Sequence, residues 1–156
     1  MGRWFWIMAV VAFGIDQFSK WLVIFQWDLK NTLYMDVWPG FITFIMGWNR
    51  GINFGLFAGQ PDAARWILIA LALGICIFVA IWSRRDGRPV IMGFSGLLIG
   101  GALANVLDRI LYGAVADFLN VTCCGIQNPF SFNLADMLIF AGAIGFVFFA
   151  DDKKKV

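Results

Sequence analysis

Eighteen residues from Trp66 to Ser83 and nineteen from Pro89 to Leu107 pass without a charge, and only the short cluster Arg84, Arg85, Asp86 and Arg88 separates the two runs. At about 1.5 Å of rise per residue, either run crosses a hydrocarbon layer about 30 Å thick as a helix. A third apolar stretch runs from Trp4 to Phe25 with Asp16 and Lys20 inside it, and a fourth from Asn133 to Ala150 carries Asp136. Composition points the same way: 61% hydrophobic and 14% charged is too apolar for a soluble domain of 156 residues. The expected fold is an all-α membrane protein, one domain over 1–156, with transmembrane helices at about 4–25, 66–83, 89–107 and 133–150.

The distribution of basic residues orients such a bundle. Arg3, the arginines at 84, 85 and 88, and Lys153 to Lys155 hold seven of the twelve positive charges, and four spans bring them all to one side. The excess of Lys and Arg on cytoplasmic segments then places both termini inside. The two longer connections, 27–65 and 108–132, face outward. The start resembles a signal peptide, with Gly2-Arg3 before an apolar run, but no small-residue cleavage site follows, and the segment is expected to stay as an anchor.

A structureless loop as long as 27–65 is unusual, so ordered structure is expected there. Phe41 to Met46 is rich in β-branched and aromatic residues, Asn49-Arg50-Gly51 supplies turn chemistry, and a helical turn is expected near Phe54 to Phe57. In the second outer connection Val115, Asp117, Leu119 and Val121 alternate with Ala114, Ala116, Phe118 and Asn120, which suits a strand. The reading is therefore a four-helix bundle with a small extracytoplasmic β element.

Acids near or inside lipid are expensive and point to function. Asp117 and Asp136 flank a stretch, Phe118 to Ala135, with no other charge. Two such carboxyls brought together share a proton, and one then serves as general base while its protonated neighbour serves as general acid. Taken alone, Asn133 and Asp136 have the spacing of a helix N-cap and its third residue, so Asp136 also reads as a dipole-compensating acid. Asp16 and Lys20, four apart, lie on one helix face roughly 18 and 24 Å along it from Trp4. They read either as a structural ion pair or as groups near a substrate. Asp108-Arg109 reads as the solvated end of the third helix. The convergence of Asp16, Asn49, Asn105, Asp108, Arg109, Asp117, Asn133 and Asp136 on one face of the membrane favours a site over a merely structural bundle.

Several chemistries are not supported. The chain has no histidine, and Cys76, Cys123 and Cys124 lack metal-ligand spacing, so neither a metal nor another cofactor is expected. Vicinal Cys123-Cys124 is poorly placed for an unstrained disulfide. A net charge of +2 gives no reason to expect nucleic acid. A small proton-coupled transporter is the alternative class, since intramembrane acids also mark ion pathways. The clustering of charge on one side and the lack of an inverted repeat argue against it.

Five blocks in order carry a resemblance: Asp16-Gln17-Phe18-Ser19-Lys20; Asn49-Arg50-Gly51-Ile52-Asn53-Phe54-Gly55; Gly101 through Asn105 to Asp108-Arg109; Gly113-Ala114-Val115-Ala116-Asp117-Phe118; and Phe132-Asn133-Leu134-Ala135-Asp136. Over nearly its full length the chain resembles the lipoprotein signal peptidases, or signal peptidases II. The resemblance implies an aspartic endopeptidase of the bacterial inner membrane with Asp117 and Asp136 as its catalytic dyad. It implies supporting roles for Asn49, Gly51, Asn105, Asp108, Arg109 and Asn133. The implied partners are membrane lipids and a prolipoprotein whose signal helix ends at a diacylglyceryl-modified cysteine. Ala116 stands where the family more often has valine, a departure that leaves both carboxylates in place.

Overall fold

The structure, a computed structural model, describes residues 1–51, 61–122 and 128–150. The expected turn at Phe54 to Phe57, the pair Cys123-Cys124 and the terminal lysines lie outside these residues. Helix α1 (Arg3–Lys20) continues through a π-helical turn, Trp21–Gln26, and a short α2 (Leu29–Thr32) follows. Strands β1 (Tyr34–Trp38) and β2 (Ile42–Asn49) come next, then α3 (Pro61–Asp86), α4 (Pro89–Tyr112), β3 (Val115–Val121) and α5 (Leu134–Ala150).

Among the described residues three helices are long and apolar enough to cross a membrane: Arg3–Gln26, Asp62–Asp86 and Pro89–Tyr112. The fourth expected span, Leu134–Ala150, is a shorter apolar helix of 17 residues. Its outward side chains are apolar, with Phe148 77% exposed and Phe140 68%. Two helices outrun the uncharged segments that mark them in the sequence. α3 starts at Pro61, a residue suited to a first helical position, and α4 passes through Asp108 to Tyr112. Charge did not end α4 because Asp108 turns inward to a partner.

α4 is the hub, packed by α1, α3 and α5. Close approach explains its small residues: a Cβ on Gly100 would collide with the carbonyl oxygen of Ala9 on α1, and one on Gly101 would lie 2.8 Å from the carbonyl oxygen of Ala135. Phe5, Val79, Ile91, Leu98, Ile99 and Phe146 form the apolar centre of this packing. Gly113 ends α4 with φ +76, a left-handed conformation that favours glycine, and turns the chain into β3.

The strands form an antiparallel sheet in the order β1-β2-β3. Ala116 and Phe118 anchor it against Val23 and Ile24 of the π-helical turn and against Leu29. By the alternation of a strand, Asp117 between them points to the other face. On its second edge β3 is stapled to the segment that returns toward α5, because Leu119 and Phe132 exchange both backbone hydrogen bonds, at 2.8 and 3.0 Å. That bridge lays Asn133 and the start of α5 beside Asp117.

Candidate active site

The site lies where α1 and α4 end, α5 begins and the sheet is attached. Asp117 is 4% exposed, yet among the described residues neither of its oxygens forms a salt bridge. Asn49 Nδ2 donates to Oδ2 at 3.0 Å, and Asn133 Nδ2 donates to Oδ1 at 2.7 Å. Asn49 reaches it from the end of β2, where Gly47 stands opposite Asp117 in the register. Gly51, with φ +89, donates its backbone N–H to Asn49 Oδ1 at 2.8 Å and so holds that amide. Gly51 is therefore a support for Asn49 that makes no direct bond to either acid.

Asp136 sits in the first turn of α5 and closes a capping box. Its backbone N–H donates to Asn133 Oδ1 at 2.9 Å, and Asn133 N–H donates back to Asp136 Oδ2 at 3.3 Å. The bland reading of Asn133 and Asp136 as a helix cap is thus structurally correct, but it is incomplete. Asn133 also contacts Asp117, and Asn105 Nδ2 on α4 donates to Asp136 Oδ1 at 2.9 Å. Asn133 Nδ2 meets Asn105 Oδ1 at 3.2 Å, so Asp117, Asn133, Asn105 and Asp136 form one connected polar chain.

Behind this chain lies a second cluster. Lys20 Nζ is 2.6 Å from Asp16 Oδ2 and 2.7 Å from Asp108 Oδ2, with all three residues buried. Asp108 is not a solvated helix end, and its close ion pair is with Lys20, not with neighbouring Arg109. Arg109 Nη1 donates to the Asn105 carbonyl at 3.4 Å and lies within electrostatic reach of Asp136, Asp117 and Asp108. Gln17 joins this cluster, a contact that its place in the Asp16 to Lys20 block does not announce. Its Nε2 donates to Asp108 Oδ1 at 3.0 Å and approaches Asp16 Oδ2 at 3.3 Å. A lone amide in an apolar helix beside an acid was the available signal.

Burial pushes the Asp117 carboxyl up from 3.8 to about 6, and the charge of Asp136 adds to this. The hydrogen bonds from Asn49 and Asn133 and the charge of Lys20 pull in the opposite direction without cancelling it. A carboxyl that takes up a proton near neutrality, wired through amides to a second carboxyl, has the parts needed for general acid–base chemistry on a neutral bond.

Comparison with known proteins identifies the relatives of the chain. A family model described as signal peptidase (SPase) II matches residues 8–150. The lipoprotein signal peptidase of Methylorubrum extorquens (strain PA1) is 38% identical over 141 residues, covering 90% of this chain and 81% of that one. That of Nitrobacter hamburgensis is 36% identical over 145 residues, covering 91% and 88%. A bacterial membrane enzyme solved by the in meso method at 2.3 Å resolution superposes with a TM-score of 0.74 over 96% of this chain and 88% of its own. Its sequence is 24% identical, so that likeness speaks for the fold alone.

Proposed function

The chain belongs to the signal peptidase II family, and from that premise we propose that Asp117 and Asp136 are its catalytic pair. It is a multi-pass membrane peptidase of aspartic type that removes signal peptides from prolipoproteins. Neither the family nor its relatives lend support to a transporter. The observation that carries the catalytic reading is the chain of amides joining one deeply buried and one half-buried carboxyl.

In this reading α5 is the fourth span, since 17 residues reach the lower end of the range for a transmembrane helix. Both termini are cytoplasmic and the sheet with its acids lies at the outer face. The substrate's signal helix lies along the bundle while the diacylglyceryl chains of its cysteine remain in lipid. Binding energy from these remote parts sets the scissile peptide against the acids.

Asp117 is the member whose surroundings favour holding a proton. Asp136 then takes a proton from water as the oxygen attacks the peptide carbonyl, and Asp117 donates to the carbonyl oxygen. Collapse breaks the C–N bond and delivers a proton to the departing amine of the lipidated cysteine. The products are the signal-peptide carboxylate and a free amino terminus. The neutral donors Asn49 and Asn133 lie close enough to Asp117 to serve the developing oxyanion as well.

Purified Asp117→Asn and Asp136→Asn variants should each insert and fold while losing cleavage of a lipidated precursor. Normal turnover by either would remove the pair from the chemistry. For orientation, a reporter fused after Val156 should be active only if it works in the cytoplasm, and one inserted near Asp62 only if it works outside. The reverse pattern would put the acids on the wrong side for this substrate.

A further inference from the structure

Lys20 makes no contact with Asp117 or Asp136 within hydrogen-bonding range, yet among the described residues every polar partner of its ammonium leads to one of them. Its ammonium meets Asp16 Oδ2, Asp108 Oδ2 and, at 3.3 Å, Asn105 Oδ1. Asp16 passes the connection on through Oδ1, which accepts the backbone N–H of Ala135 at 2.8 Å. Asp108 Oδ2 accepts the backbone N–H of Ala116 at 3.1 Å. Ala116 and Ala135 are the residues immediately before Asp117 and Asp136. Asn105, its oxygen occupied by Lys20 and Asn133, is left with its Nδ2 turned to Asp136. One ammonium thus holds the backbone ahead of each acid and the amide that lies between them.

We propose that Lys20, acting through Asp16 and Asp108, is a positioning residue that sets β3 against the start of α5 and so fixes the separation and aim of the two reacting carboxyls. The proposal rests on the catalytic reading given above. Physical chemistry gives it direction. Without the ammonium, two carboxylates that now share one cation face each other in a buried site, where an unpaired charge is strongly unfavourable. They turn apart, and each turn drags a backbone N–H, and with it the neighbouring acid, out of place. A shift on the order of 1 Å in a reacting group lowers turnover by about 10²-fold.

The test compares three purified, detergent-solubilised variants with the parent on a lipidated precursor peptide, each assayed well below its melting temperature. Folded Lys20→Met should lose about 10²-fold in kcat with KM nearly unchanged. Because the single variant leaves two buried acids unpaired and is at risk of not folding, the second is the neutral triple Asp16→Asn, Lys20→Met, Asp108→Asn. Its amides keep acceptors for Ala116 and Ala135, so its melting temperature should return toward the parent's. Its kcat should stay low because Asn105 is no longer held by an ammonium. In folded Lys20→Met the alkaline limb of the pH profile, where the general acid Asp117 loses its proton, should also move to higher pH. The charges bearing on Asp117 are Asp136 on α5, Lys20 on α1 and Arg109 on α4, and loss of Lys20 removes one that favours the ionised form.

A folded triple with parental kcat would reduce the cluster to a brace and overturn the proposal. So would a raised KM at unchanged kcat, which would place Lys20 on the substrate. Asp117→Asn is the third variant and separates the two ideas. If it turns over normally, the catalytic reading has failed; if it is inactive while the triple is parental, only the positioning role has.

Discussion

Two pairs of acids lie side by side in this molecule and are satisfied in opposite ways. Asp16 and Asp108 divide a lysine between them and accept backbone N–H groups. Asp117 and Asp136 receive carboxamides and, in the case of Asp136, a single backbone N–H. A full positive charge pins a carboxylate in its ionised state; a neutral amide satisfies an oxygen without dictating the charge. The first pair is held by charge, the second, among the described residues, by neutral donors. Residue type alone does not distinguish them, since all four are aspartates on the same side of the bundle. The partner does.

The sharpest way to break this contrast is to neutralise one member of each pair. Asp117→Asn should lower turnover by about 10⁴-fold, the upper range for a group that moves a proton in the transition state. Asp117→Asn should nonetheless leave the fold intact, and at neutral pH should stabilise it, because the ionised parental side chain sits in surroundings that favour its neutral form. Lys20→Met should act the other way on stability, lowering it by about 3–5 kcal/mol in a detergent unfolding assay. If Asp117→Asn destabilised the protein as much as Lys20→Met does, the two pairs would be alike after all.

A smaller effect concerns pH. The folded protein holds the Asp117 proton up to about pH 6, whereas an unfolded chain releases it near 3.8. The native state therefore binds more protons between those values, and stability falls as pH rises from about 4 to 6, then levels off. The contribution of this one group is at most about 3 kcal/mol. Melting temperatures measured from pH 4 to 7 should show the slope in the parent and a flatter curve in Asp117→Asn. An identical slope in both would assign it to another group. Smallest of all, Gly101→Ala should cost about 1–3 kcal/mol, because its methyl would meet the Ala135 carbonyl oxygen and Ile139 Cγ1 at 2.8 and 3.0 Å. It pushes on the start of α5, so turnover should fall with it; a stable, fully active Gly101→Ala would show that the α4–α5 spacing has slack.

What the sequence revealed follows from what is local. The uncharged runs marked the helices, the alternation around Asp117 marked β3, and the four-residue interval marked the ion pair of Asp16 with Lys20. The Asn133 cap was legible for the same reason. β1, in contrast, is mostly exposed along Tyr34–Trp38 and owes its existence to pairing with β2, so no burial pattern announced it. Asp108 looked like a helix terminus because its ion-pair partner Lys20 lies on another helix, and only packing brings them together. Gln17 escaped notice on the same grounds. The blocks of resemblance named the right neighbourhood, but not which amide touches which acid.

The exchange of hydrogen bonds between Leu119 and Phe132 has a consequence for how this protein tolerates change in chain length. Both acids lie outside the stretch that the bridge closes off, one before it and one after. Residues added between the two anchors lengthen a closed excursion and leave the spacing of Asp117 and Asp136 to the bridge itself. The entropy of closing such an excursion grows slowly, by about 0.6 kcal/mol for each doubling of its length. The bridge thus uncouples the spacing of the two acids from the length of chain between its anchors.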